Sequence, residues 1–81
     1  MSDQDIRQAL RDYITRLRPG AEVDDDESLL EAGVLDSMAI MQLNEFIEDK
    51  LGAAIDDADF EPENYETIAT IAAMVSRIKA G

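Results

Sequence analysis

The sequence predicts an all-α chain: a small four-helix bundle of three main helices and one short third helix, with a long first loop. Three observations support this. Apolar residues recur at helical spacing in three separate runs. Only two Pro and four Gly interrupt a composition that is 46% hydrophobic and 32% charged, which suits a compact helical domain. The stretch between the first two runs is long and acidic, so the bundle is not a plain series of up-down hairpins. At 81 residues, the chain from 1 to 81 is expected to form a single domain.

The first helix is expected from Asp3 to about Leu17. Ile6, Leu10, Tyr13, Ile14 and Leu17 share one face. Ser2 suits the N-cap, and Asp3 and Asp5 suit the positive end of the helix dipole. Arg16 and Arg18 suit the other end, and Pro19-Gly20 ends the helix. Ala21–Asp36 follows as the long connection, anchored by Ser28-Leu29-Leu30, where one helical turn fits. Helix two is expected from Ser37 to Leu51, with Gly52 as its stop and Ile40, Leu43, Phe46, Ile47 and Leu51 as its inner stripe. A short third helix is expected around Asp57–Phe60, with Ile55 and Phe60 turned inward. The last helix begins near Thr67, a candidate N-cap, and carries Ile68, Ile71, Ala72, Val75 and Ile78 to about Lys79.

Charge and composition remove several functions. The net charge of −12 is uneven: residues 1–18 hold four basic and three acidic groups, whereas residues 19–76 hold sixteen acidic groups against Lys50 alone. The segment Arg77–Gly81 adds two positive charges. Such a field repels nucleic acid and anionic lipid and favours proteins with basic patches. Cysteine and histidine are both absent, which removes Cys-His and Ser-His nucleophilic systems and nearly every zinc site. No apolar run approaches the ~20 residues of a membrane helix, and Met1–Gln8 has no signal-peptide core. A cytoplasmic monomer without membrane insertion is expected. The acidic runs at Asp24–Glu27 and Asp56–Glu61 resemble pieces of calcium loops, but the required Gly is replaced by Leu29 in one frame and Pro62 in the other. Paired carboxylates are read as a solvated face, because acid–base catalysis needs a shielded pair in a cleft.

The stretch EAGVLDSMAIMQLNEF, Glu31 to Phe46, carries the functional signal. Ser37 stands where helix two begins, a position serine favours as N-cap and that Asp36 can fill instead. Met38 and Met41 lie one turn apart beside Ser37, off the inner stripe, and Met is over-used at surfaces that fit several partners. Gln42, Glu45, Glu48 and Asp49 extend this exposed face with polar and mainly acidic groups. On residue types alone, a helix cap with amphipathic filler and an interaction surface both remain open.

Leu35-Asp36-Ser37-Met38 resembles the Asp-Ser-Leu/Met signature of acyl carrier proteins, and Glu31–Gly52 resembles that family's second helix and its approach. Ile55, Phe60 and Tyr65-Glu66-Thr67-Ile68 are also similar. The likeness covers almost the whole chain, with the first helix matching only as an amphipathic pattern. It implies a carrier whose Ser37 receives 4′-phosphopantetheine from coenzyme A, the arm's thiol then holding an acyl or aminoacyl thioester. It further implies that Asp36 and Met38 meet the phosphopantetheinyl transferase, that Glu45, Glu48 and Asp49 meet basic partner surfaces, and that Met41 and Ile55 flank the arm. Leu35 and Gln42 count among the partner-facing residues. The chain would then be a substrate of other enzymes: the transferase, a loading ligase or adenylation enzyme, and a downstream acyltransferase or synthase. Ala39 stands where fatty-acid carriers commonly have an acid, and the form is similar to free-standing D-alanyl or other aminoacyl carriers and to discrete polyketide extender carriers. An aminoacyl or short acyl cargo is therefore the first expectation and a fatty-acyl or polyketide chain the second. The alternative of another class is an unmodified acidic helical adaptor for a basic protein.

Overall fold

Ser2 opens the first helix with a reciprocal cap. Its hydroxyl accepts the Asp5 N–H, and the Asp5 carboxylate accepts the Ser2 N–H, each at 3.2 Å. In the computed structural model, which describes residues 2–80, α1 spans Asp3–Leu17, α2 Ser37–Phe46 and α3 Ile68–Ala80. Met1 and Gly81, the outermost residues of the expected domain, lie outside the described residues. The chain is all-α, with no strand among those described.

The three amphipathic faces meet in one core. Ile6, Leu10 and Ile14 enter it from α1, Ala39 and Leu43 from α2, and Ile68, Ile71, Ala72, Met74 and Val75 from α3. Tyr13, Leu17 and Ile78 only pack against its edge. Met74 lies off the expected stripe of α3 yet is fully buried, because α3 is enclosed on more than one side. Thr67 caps α3 as expected, its hydroxyl accepting the Thr70 N–H at 3.0 Å.

Helix two differs from its expected course. Its α-helical part stops at Phe46 and continues as one wide π-helical turn, Ile47–Leu51, closed by the Gly52 N–H on the Ile47 carbonyl. Gly52 has φ +71°, the left-handed geometry that makes glycine the stop residue. The inner line runs through Ala39, Leu43, Ile47 and Leu51, while Ile40 and Phe46 are half-buried at its margins. Lys79 Nζ donates to the freed Leu51 carbonyl at 2.6 Å.

The short third helix also moves. Residues 57–59 form only a turn, in which the Asp56 carboxylate accepts the N–H groups of Ala58 and Asp59. A single 3₁₀ turn appears later, at Pro62–Tyr65, where Pro takes an early helical position and Tyr65 supplies the buried anchor. Phe60 is 52% exposed rather than inward, since Tyr65 fills the space beneath it.

The long first loop is pinned at several points. Val23, Leu29, Val34 and Leu35 are buried. The Leu29 N–H donates to the Glu66 carbonyl at 2.7 Å, and the Ala69 N–H, an orphan donor of α3's first turn, donates to the Asp25 carbonyl at 3.0 Å. Arg11 donates to the Val23 carbonyl and the Asp25 carboxylate, which Arg7 also reaches at 3.0 Å. The acidic run thus uses Asp25 to tie the loop to α1. Among the described residues no His, Cys, Asp or Glu cluster has metal-binding geometry.

Candidate functional site

The last buried pair of the loop, Val34 and Leu35, fixes where α2 starts. Both N–H groups donate to the Leu29 carbonyl, at 2.9 and 3.3 Å. Leu35 is therefore core, 4% exposed, and cannot face a partner while the fold is intact, contrary to its place among the expected partner-facing residues. Asp36 comes next, extended, and is the N-cap: its Oδ1 accepts the Ala39 N–H at 2.8 Å. Its Oδ2 accepts Arg18 Nη2 at 3.0 Å. This frees Ser37 from capping. It is the first residue of α2, and it is exposed.

Beyond Ser37 lies an apolar hollow of about 600 Å³. Leu30, Ile40, Met41, Phe60, Pro62 and Tyr65 line it, together with Asp36, Ser37 and Glu61. Tyr65 forms its buried wall: the ring is enclosed, and its hydroxyl donates to Asn44 Oδ1 of α2 at 2.7 Å. Burial raises the Tyr65 pKa, and the nearby Asp59 and Glu48 charges add to the rise.

Of the sequence-predicted residues, Asp36, Ser37 and Met41 line the hollow. Met38 and Met41 are 70% and 62% exposed, and Met41 lines the hollow. Gln42, Glu45, Glu48 and Asp49 are exposed along the same helix and its π turn. Ile55 does not line the hollow; it is half-buried against the core, its N–H donating to the Glu48 carboxylate at 3.4 Å. The wall residues Leu30, Phe60, Pro62 and Tyr65 are not among the sequence-predicted site residues. Adjacency gives the one available signal for Leu30: of two neighbouring leucines only Leu29 turns inward. Phe60 and Tyr65 read as core in any helical pattern, and only the chain's path past Pro62 brings them to Ser37. Arg18 read as a helix-end charge, and its pairing with Asp36 depends on the fold of the intervening loop.

A small helical scaffold that shows a free hydroxyl at a helix start, beside an apolar hollow and an acidic helix face, has the form of a carrier domain. The phosphopantetheine attachment site family matches residues 4–75. The chain is 31% identical over 58 residues to the probable acyl carrier protein PigG of Serratia sp. (strain ATCC 39006), covering 72% of this chain and 67% of that one. Its fold is similar to a chain in the crystal structure of an FAD-dependent dehydrogenase, with TM-score 0.73 and 33% identity over 82% of this chain and 97% of the other. It is also similar to a chain in the crystal structure of the Bradyrhizobium japonicum glycine:[carrier protein] ligase complexed with glycylated carrier protein. There the TM-score is 0.71, with 22% identity over 89% and 96% of the two chains.

The chain belongs to the acyl carrier protein family, the phosphopantetheine-attachment domains. It is a carrier protein, and its prosthetic group is covalently bound 4′-phosphopantetheine. The residues present fit that group. The site offers an exposed hydroxyl, a helix start whose first N–H groups have no intrahelical acceptor, and an apolar hollow alongside.

Proposed function

We propose that Ser37 is the attachment residue, and that the chain carries an aminoacyl or short acyl group as a thioester for biosynthetic partner enzymes. One observation supports this above the rest: Ser37 is exposed at the first position of α2, released from capping by Asp36, at the hollow lined by Met41 and Tyr65. The arm supplies the thiol that this cysteine-free chain lacks. The chain's own residues hold and present it. Asp36 fixes the helix start and so the direction of the Ser37 hydroxyl; the α2 N-terminus favours the phosphate charge. With no histidine in the chain, the base that takes the hydroxyl proton belongs to the transferase. The scaffold itself is non-catalytic.

Met38, Met41 and Gln42, with Glu45, Glu48 and Asp49, form the partner-facing side of α2, apolar near Ser37 and acidic beyond it. This order suits a transferase or ligase that meets the serine with an apolar contact and the acids with basic residues. The similar fold seen with a glycine:[carrier protein] ligase supports a small aminoacyl cargo and a loading ligase. A fatty-acyl or polyketide cargo is the second reading, favoured by the apolar lining of the hollow.

The test is intact-mass measurement after incubation with coenzyme A and a broad-specificity phosphopantetheinyl transferase. One phosphopantetheine is gained by the wild type and none by Ser37→Ala. No gain in the wild type, or a gain that survives the substitution, defeats the reading. Full partner function of unmodified Ser37→Ala would instead favour an acidic adaptor. Loading the modified chain with glycine, other amino acids and longer acyl groups then ranks the cargo classes.

A further inference from the structure

We propose that Arg18 is a positioning residue for the arm: its guanidinium is a counterion shared by Asp36 and the phosphodiester that modification places on Ser37. This rests on Ser37 as the attachment residue. In modification the Ser37 Oγ bonds to the coenzyme A phosphorus that bears the pantetheine arm, and the pyrophosphate P–O bond breaks to release 3′,5′-ADP. The hydroxyl proton passes to the transferase, and a neutral group becomes a phosphodiester monoanion. That charge arrives next to the Asp36 carboxylate, on a chain that already carries a net −12.

Asp36 cannot turn away from the new charge. Its Oδ1 is committed to the Ala39 N–H, and turning it would uncap α2. Its Oδ2 is held by Arg18. Arg18 is itself anchored at the end of α1, where Nη1 donates to the Leu17 carbonyl at 3.3 Å while Nη2 serves Asp36. These two bonds use two of the five donors of a guanidinium and leave the others for a second anion. Most other cations are engaged elsewhere. Arg7 and Arg11 hold Asp25, Lys50 pairs with Asp49, and Arg77 pairs with Asp59. Arg18 is the cation paired, at 3.0 Å, with the residue directly preceding Ser37 in the chain. Its side chain is 43% exposed, so the phosphate can reach it without core rearrangement.

The experiment is a thermodynamic cycle in which modification is one step and substitution the other. Wild type, Arg18→Gln, Arg18→Lys and Arg16→Gln are prepared unmodified and modified, with mass spectrometry confirming each state. Arg16→Gln is the control: it removes the same charge from α1 at a residue that joins no ion pair among the described residues. At low ionic strength, Arg18→Gln is expected to lower the melting temperature of the modified form by roughly 2–5 °C more than that of the unmodified form. Arg18→Lys recovers part of this excess, Arg16→Gln shows none, and about 0.5 M salt erases it. The ³¹P resonance of the modified chain shifts in Arg18→Gln and stays in place in Arg16→Gln. Equal lowering of both forms, the same excess in Arg16→Gln, or an unmoved ³¹P resonance overturns the role of Arg18 while leaving attachment intact. A wild-type chain that gains no mass overturns the attachment reading, and this inference with it.

Discussion

The two sides of the molecule use charge in opposite ways. Along α1 and the first loop, ionic groups are spent on the fold: the Ser2–Asp5 cap, the Asp3–Arg7–Asp25–Arg11 network and the Arg18–Asp36 pair hold the loop and fix the start of α2. Along α2 and its π turn, Glu45 and Glu48 join no ion pair among the described residues, and Asp49 has only its exposed neighbour Lys50 at 3.6 Å. The methionines follow the same division: Met74 is buried in α3, while Met38 and Met41 stand open on α2. The open methionines and the acids of this side lie along the helix that Ser37 begins.

The largest expected effect separates core from surface on α2 itself. Leu43→Ala, two residues from Met41 and fully buried, should cost ~2–5 kcal/mol in denaturant unfolding. Met41→Lys should stay within ~1 kcal/mol while slowing modification and loading. A collapse of the fold in Met41→Lys would break the comparison.

Tyr65→Phe comes next, at about 1 kcal/mol, for the lost hydrogen bond to Asn44. It carries a pH signature with a defined sign. Burial raises the Tyr65 pKa in the native state, so folding retains the phenolic proton longer than the unfolded chain does. The Tyr65 contribution is complete below about pH 10 and is lost as the pH rises through the native pKa. Stability curves of wild type and Tyr65→Phe should converge above pH 10; parallel curves would show that the hydroxyl is not held in this way.

The smallest effects have opposite signs. Asp25→Ala removes the partner of two arginines and should destabilise by ~0.5–1 kcal/mol, less in high salt. Glu45→Gln relieves repulsion and should stabilise by a few tenths of a kcal/mol. Equal signs in a low-salt melt would mean that charge is not divided between the two sides as described.

The sequence made the helices legible wherever one face is apolar and one polar. The start of α1, the Thr67 cap and the Gly52 stop all follow from local chemistry acting within one turn. Ser37, Met38 and Met41 were legible for the same reason: they lie off the inner stripe of α2, whose outer side, unlike that of α3 at Met74, is uncovered. The residues misplaced were those whose surroundings come from far along the chain. Leu35 is core because the loop folds back on Leu29; Phe60 is outward because Tyr65 takes its place; the short helix waits for Pro62. The hollow itself joins Leu30, Met41 and Tyr65, and no local pattern connects them.

The wide turn at Ile47–Leu51 changes how the helix can be read by another protein. A turn with more residues per revolution makes the side chains after Phe46 lag behind the winding of a regular helix. Glu48 and Asp49 are therefore rotated from the places that an unbroken helix would give them relative to Glu45. A row of arginines spaced for an unbroken helix would meet the first carboxylate and drift off the next two. A basic surface matched to all three acids would have to carry the same offset.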